Sequence, residues 1–329
     1  MTPLADESAL IAELRDIAGQ GRHREVLDRL RALPPQVAQG STAFALLAAE
    51  AHGRMGEYPA AQRWTDLALV VARARGERPA ELRALNYRGA IALLRGDVDE
   101  ADRLFAEAVD LARTVQDHLV VARCLNNMGI IAFFRGDIAA ALANYNLALA
   151  AYQQAGLVRG MAETHHNIGN SWRHRGDHPR ALAAAEQAVR LALQLNDDTL
   201  LGLAVMGRAE THLLIGDREL ASAELARVAD TYRRARFEAL LPELWRLQAA
   251  VARARGDLPE ALRLLRAATD AATRQGAAEM LAGIERDLGA ALQAQGDPTG
   301  ARAARERAIA LYRRLGAVHA VQEIAALIT

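Results

Sequence analysis

Small apolar and polar positions recur along this chain with a period of 40 residues and no slippage of register. A glycine stands at Gly56, Gly96, Gly136, Gly176, Gly216, Gly256 and Gly296, and an acid follows each: Glu57, Asp97, Asp137, Asp177, Asp217, Asp257 and Asp297. Five positions after each glycine comes an alanine, from Ala61 to Ala301. Seven before it stands a small residue: Ala49, Gly89, Gly129, Gly169, Ala209, Ala249 and Gly289. A fixed period of this length means stacked supersecondary units. Each reads as helix, tight turn, helix. The glycine supplies permissive backbone where the first helix stops, and the acid can accept hydrogen bonds from the open N–H groups of the second. Asp97 with Glu100, and Asp257 with Glu260, have the spacing of a capping box. Pro59, Pro179, Pro259 and Pro298 fall in the first turn of second helices, where a missing N–H costs little. The second helices end at Gly76, Gln116, Gly156, Asn196, Arg236, Gly276 and Gly316, mostly residues that tolerate a left-handed cap. Tight turns make neighbouring helices antiparallel, each about 14 to 17 residues long. The facing small columns at Gly129 and Ala141 let the axes approach, so bulk at Gly129 is expected to overpack.

The expected organisation is one array over residues 1–329, all-α, a solenoid of about eight helix-turn-helix units. An irregular first unit covers 4–33, with a helix ending near Gly19-Gln20-Gly21 and another from about His23 to Leu33, stopped by Pro34-Pro35. The others cover approximately 41–75, 80–115, 119–155, 159–195, 198–235, 238–275 and 278–315, and an amphipathic segment at 317–328 caps the last.

Composition narrows the chemistry. Hydrophobic residues make up 51% but aromatics only 4%, so the core is built of Ala, Leu and Val, which suits close-packed helices. Forty basic and 40 acidic residues give zero net charge, which argues against direct nucleic-acid binding or attraction to a membrane surface. Every basic residue is arginine, the mark of a GC-rich, bacterial genome, and without lysine there is no Walker A or Schiff-base chemistry. A lone Cys124 excludes an internal disulfide and multi-cysteine metal sites. The start lacks signal-peptide character, and no apolar run approaches the roughly 20 residues that span a bilayer. A cytoplasmic location is the expectation.

The columns resemble the tetratricopeptide repeat in a 40-residue form, carried by Gly129, Gly136-Asp137, Ala141 and Ala148. The second alanine column reads Ala68, Ala108, Ala148, Ala188, Val228, Ala268 and Ala308. Leu125-Asn-Asn-Met-Gly129 and His165-His-Asn-Ile-Gly169 are similar to repeats of the Leu-Gly-Asn polarity adaptors and of MalT-like bacterial sensor arrays. The bulky residues usual in the family are replaced by Ala92, Ala132 and Ala252, while Tyr145 and Trp172 remain. The resemblance implies a right-handed superhelix whose first helices line a concave groove, and a protein or peptide as partner.

On those first helices Asn86, Asn126, Asn127, Asn167 and Asn170 sit where asparagine is a poor helix former. Their amides can hold a peptide backbone in the groove, or bridge neighbouring helices. Arg83, Arg123 and Arg173 beside them suit a carboxylate or phosphate. Four histidines crowd one unit: His165, His166, His174 and His178. His166 and His174 are candidate ligand contacts, but eight residues apart, about 12 Å along the axis, they are too distant to share an ion. Phe133 and Phe134 offer apolar area for core or contact. Arg95, Arg135, Arg175 and Arg255, just before their turn glycines, suit the negative end of a helix. No catalytic constellation, cofactor site or metal site is expected. The expected role is a non-catalytic peptide- or protein-binding scaffold, with a ligand- or signal-peptide-sensing module of a regulatory system as the alternative.

Overall fold

The computed structural model describes residues 3–235 and 237–328. Its elements are α1 (Pro3–Gly19), α2 (His23–Arg31), α3 (Pro35–Gly40), α4 (Thr42–Arg54), α5 (Tyr58–Arg75), α6 (Arg78–Arg95), α7 (Val98–Thr114), α8 (His118–Phe134) and α9 (Ile138–Gln154). They continue as α10 (Val158–His174), α11 (His178–Leu195), α12 (Asp198–Leu214), α13 (Arg218–Ala235), α14 (Leu241–Ala254), α15 (Leu258–Gln275), α16 (Ala278–Gln295), α17 (Pro298–Arg314) and α18 (Val318–Ala325). Among the described residues there is no strand, and no helix is long and apolar enough to cross a membrane. The all-α paired-helix architecture expected from the 40-residue period is the one observed.

The turn columns do what their chemistry predicts. Gly136 takes φ 82°, and its N–H reaches the Phe133 carbonyl while that of Asp137 reaches Ala132 at 2.9 Å. This closes α8 with a Schellman turn. The Asp137 carboxylate then accepts the Ala140 N–H at 2.9 Å and opens α9. Asp177, Asp197, Asp217, Asp257 and Asp297 cap their helices in the same way. Both capping boxes expected from spacing are incomplete. Asp97 makes no cap bond and faces Arg95, and Glu100 and Glu260 are drawn instead to Arg88 and Arg263. An ion pair outcompetes the return bond to the backbone. Gln116 and Asn196 adopt left-handed φ of 56° and 50° at the ends of α7 and α11. Arg236, expected in that same column, lies outside the described residues.

Two further expectations need correction. The second helix of the irregular unit stops at Arg31 rather than Leu33. Pro34-Pro35 does more than stop it: with Pro34 at the N-cap and Pro35 at the first helical position, it starts α3, whose missing N–H costs little there.

The helices form two compact units, Met1–Asn127 and Met128–Thr329. In the first, α4 pairs with α5 and α6 with α7, and α4 also touches α6. Leu14, Val26, Leu27, Leu30, Phe44 and Leu47 seal its irregular end. In the second, α10, α12, α14 and α16 each pair with the next helix and also touch one another in series. The first helices of the pairs therefore make the inner layer in each unit. Close approach within pairs comes from glycines set under aromatic rings. A Cβ at Gly129 would sit 2.6 Å from Cδ1 of Tyr145, and the same relation joins Gly89 to Phe105; between successive pairs, Gly160 on α10 lies against the Tyr152 ring of α9.

Candidate functional site

The inner layers of the two units differ in what their charges do. In the second unit a chain of charges is paired from helix to helix. Arg173 on α10 donates to the Gly207 carbonyl at 3.0 Å, to Asn170 at 2.5 Å and to Glu210 on α12 at 2.8 Å. The other Glu210 oxygen accepts from Arg246 on α14 at 2.9 Å. Arg246, only 8% exposed, also donates to both Glu243 oxygens, at 2.6 and 2.9 Å, and to Asp287 on α16 at 2.8 Å. Asp287 accepts from Arg286 at 3.0 Å. A ladder of alternating sign thus runs across four successive inner helices. Burial alone would raise the Glu210 carboxyl, but Arg173 and Arg246 outweigh it and hold it well below the usual carboxylate range. Asp287 is likewise raised by burial and lowered, on balance, by Arg286 and Arg246.

His166 sits beside this ladder. Its Nε2 lies 3.3 Å from the Asn170 amide nitrogen, and a Cβ at Gly207 would meet its Nδ1 at 3.1 Å. Burial first, then the Arg173 charge, pull the imidazole down from 6.5 to about 4. The sign follows directly. Between those values the unfolded chain takes up a proton that folded His166 refuses, so stability is complete above 6.5 and falls as the pH drops towards about 4. About 2 to 3 kcal/mol should be lost across this window. Urea unfolding of wild type against His166→Gln should show that part of the acid loss missing in the variant. The remainder, from Glu210 and Asp287, has the same sign because their carboxyls are depressed.

In the first unit Arg88 on α6 is paired with Asp66 and Glu100, but other basic groups stay open. Arg83 on α6 and Arg123 on α8 are exposed and form no ion pair among the described residues, and the Asn127 amide makes no hydrogen bond there. Tyr87, one turn along from Arg83, places several charges close together. Burial raises its phenol first, Glu50 raises it further, and Arg54 and Arg123 oppose. Glu50 and Arg54 also line a 410 Å³ cavity with Arg15 and His23. Arg15 and Arg54 are exposed and likewise unpaired. Three guanidiniums unpaired among the described residues, Arg15, Arg54 and Arg123, thus lie near Glu50 or the Tyr87 phenol beside it, and Arg83 stands one turn before Tyr87 on α6. Sequence reasoning found Arg83 and Arg123. It missed Arg15 and Arg54, because Arg15 belongs to the irregular unit and neither stands beside the asparagines.

The remaining candidates divide between bridging and open positions. Asn86 accepts the buried Cys124 thiol at 3.4 Å, which ties α6 to α8. Asn170 is held between His166 and Arg173. Asn126 and Asn167 are half-buried and engaged with neighbours. Phe133 packs into the core around Tyr145, and Phe134 against the cluster that includes Ile324 of α18. His174 is exposed at the end of α10 and meets Phe133 edge-on at 5.5 Å. Of the arginines before turn glycines, Arg255 reaches Glu219 at 2.8 Å and Arg175 lies 5.6 Å over the Trp172 ring.

Tetratricopeptide-repeat family models match residues 80–154 and, in a second version, 162–198 and 286–315. No curated protein sequence matches the chain. In fold it is similar to the structure of NprR in complex with its cognate peptide NprX, with TM-score 0.67, 15% identity and coverage of 99% of this chain and 97% of that one. It is similar also to Rap protein complexed with competence and sporulation factor, at TM-score 0.64, 12% identity and coverage of 98% and 97%. A third is a signal-transduction ATPase with a tetratricopeptide-repeat sensor from Pyrococcus horikoshii, at TM-score 0.63, 12% identity and coverage of 98% of this chain and 48% of that one. At these identities the likeness is one of fold. Repeat register, paired helices and family models agree that the chain carries tetratricopeptide repeats.

Proposed function

We propose that this protein is a non-catalytic scaffold that binds an acidic peptide segment on the inner face of its first unit. The observation that carries this reading is the open state of Arg83 and Arg123 on neighbouring inner helices. Arg173 and Arg246 on the second unit's inner layer pair with carboxylates, whereas Arg83 and Arg123 form no ion pair among the described residues. An unpaired guanidinium on a concave wall suits a carboxylate in two parallel bonds, and Asn127 beside Arg123 offers donors and an acceptor to a peptide backbone. Arg15 and Arg54 extend the same charge. Glu50 sets a limit, since it repels acid at one point and favours a ligand with a donor there.

The sensor alternative has support of its own. The structures it resembles include NprR with its cognate peptide, aligned over nearly the whole of both chains. On that reading the acidic ligand would be a signalling peptide rather than a segment of a larger protein.

An array of otherwise identical decapeptides, Glu/Asp-rich, neutral and Arg-rich, tests the charge requirement. The acidic members should be retained best, and their binding should weaken steeply with salt. Equal retention of all three classes would remove the basis of the proposal.

A further inference from the structure

The last helix brings two side chains to the end of α10 that sequence spacing does not place there. His319 on α18 lies against the α8–α9 turn, where a Cβ at Gly136 would meet its own Cβ at 3.1 Å. Its ring meets that of His174 edge-on, 5.1 Å between centroids. Its Nδ1 is buried without a hydrogen-bond partner and lies 3.5 Å from a carboxylate oxygen of Glu323, one turn further along α18. Ligand atoms of His174, His319 and Glu323 all fall within 4.8 Å of one another.

We propose that these three residues bind a divalent transition-metal ion of the zinc class, fastening α18 to the end of α10. Two imidazoles and one carboxylate are ligands such ions accept. Nitrogen and oxygen donors at about 2.0–2.2 Å around a tetrahedral centre stand roughly 3.3 Å apart. The His319–Glu323 pair already has that spacing at 3.5 Å. His174, exposed at its helix end, has freedom to close the rest by a small side-chain turn. The unpartnered Nδ1 of His319 gains a partner at last, which matters because a buried polar atom left alone is costly. Exposed His174 and Glu323 leave a way in for the ion, and water would complete the coordination. Phe133 and Phe134 back the site with apolar area, which lowers the local dielectric and strengthens the bonds.

The test uses the untagged full chain, stripped with a chelator and titrated with Co²⁺ while its visible absorption is followed. One equivalent should bind with the d–d bands of a low-coordinate site, Zn²⁺ should displace it, and the melting temperature should rise with Zn²⁺. His174→Ala, at an exposed position that folding tolerates, and His319→Ala should abolish the signal. Glu323→Gln should weaken it by about tenfold or more. His178→Ala removes a neighbouring histidine whose Nδ1 is likewise unpartnered, and it should change nothing. Absence of saturable Co²⁺ uptake by wild type, or uptake that survives His174→Ala, would overturn the assignment and leave the rings as ordinary edge-on packing.

Discussion

Arg246→Ala is expected to destabilise the second unit by about 3–5 kcal/mol, the usual cost of removing one partner from a buried ion network. Glu210, Glu243 and Asp287 all take hydrogen bonds from that guanidinium. Without it, desolvated carboxylates face one another across α12, α14 and α16, with Arg173 and Arg286 left to balance the ends. Arg246→Met keeps the stem and much of the volume, so an equal loss in that variant would assign the deficit to charge rather than to a cavity. The pH dependence gives a second readout. In wild type the depressed Glu210 and Asp287 contribute stability that is lost as pH falls. In Arg246→Ala those carboxyls lose one of the cations that depress each of them, so the difference between the proteins should shrink towards acid. Urea denaturation at several pH values measures both. A loss below about 1 kcal/mol would mean the ladder behaves like solvated surface pairs.

Gly129→Leu is the second large effect, about 3 kcal/mol or more, at the upper end of overpacking. The Cβ alone would fall 2.6 Å from Cδ1 of Tyr145. That ring is 2% exposed and walled by Ala132, Leu142 and Ile168, so it has nowhere to turn. Tyr145→Ala placed in the Gly129→Leu background should return part of the loss, and the double-mutant cycle reads the coupling directly. Gly53→Ala serves as the control. Its Cβ would meet nothing nearer than Ala61 at 4.0 Å, so it should be neutral or stabilise by about 0.5–1 kcal/mol.

The Gly129 result was legible in the sequence, since two facing small columns 12 residues apart declare a close approach before any ring is seen. Turns, caps and pairing were legible for the same reason: they depend on local backbone chemistry that repeats with each unit. The ladder was not. Its links, Arg173–Glu210, Glu210–Arg246 and Arg246–Asp287, span 37, 36 and 41 residues and so join different columns of a 40-residue period. Long side chains reach diagonally between helices, and a column-by-column reading does not see diagonals. His319 escaped for a related reason. It meets His174 through the return of α18 onto the start of its own unit, which no spacing between neighbours reveals. The arginines were legible as types in the right stripe but not as states. Arg83 and Arg123 share one register position and Arg173 stands close to its turn glycine, and only Arg173 finds an acid on the next inner helix.

That difference in state is also what separates recognition from stability, and one comparison tests it. Anisotropy titrations of a labelled acidic decapeptide against wild type, the double variant Arg83→Ala/Arg123→Ala, and Arg173→Ala would be read beside their melting temperatures. Loss of two charge-assisted contacts should weaken binding by at least about tenfold in the double variant, with its melting temperature unchanged. Arg173→Ala should melt earlier and bind as wild type does. Full binding by the double variant, with loss in Arg173→Ala at unchanged stability, would move recognition to the second unit and contradict the assignment.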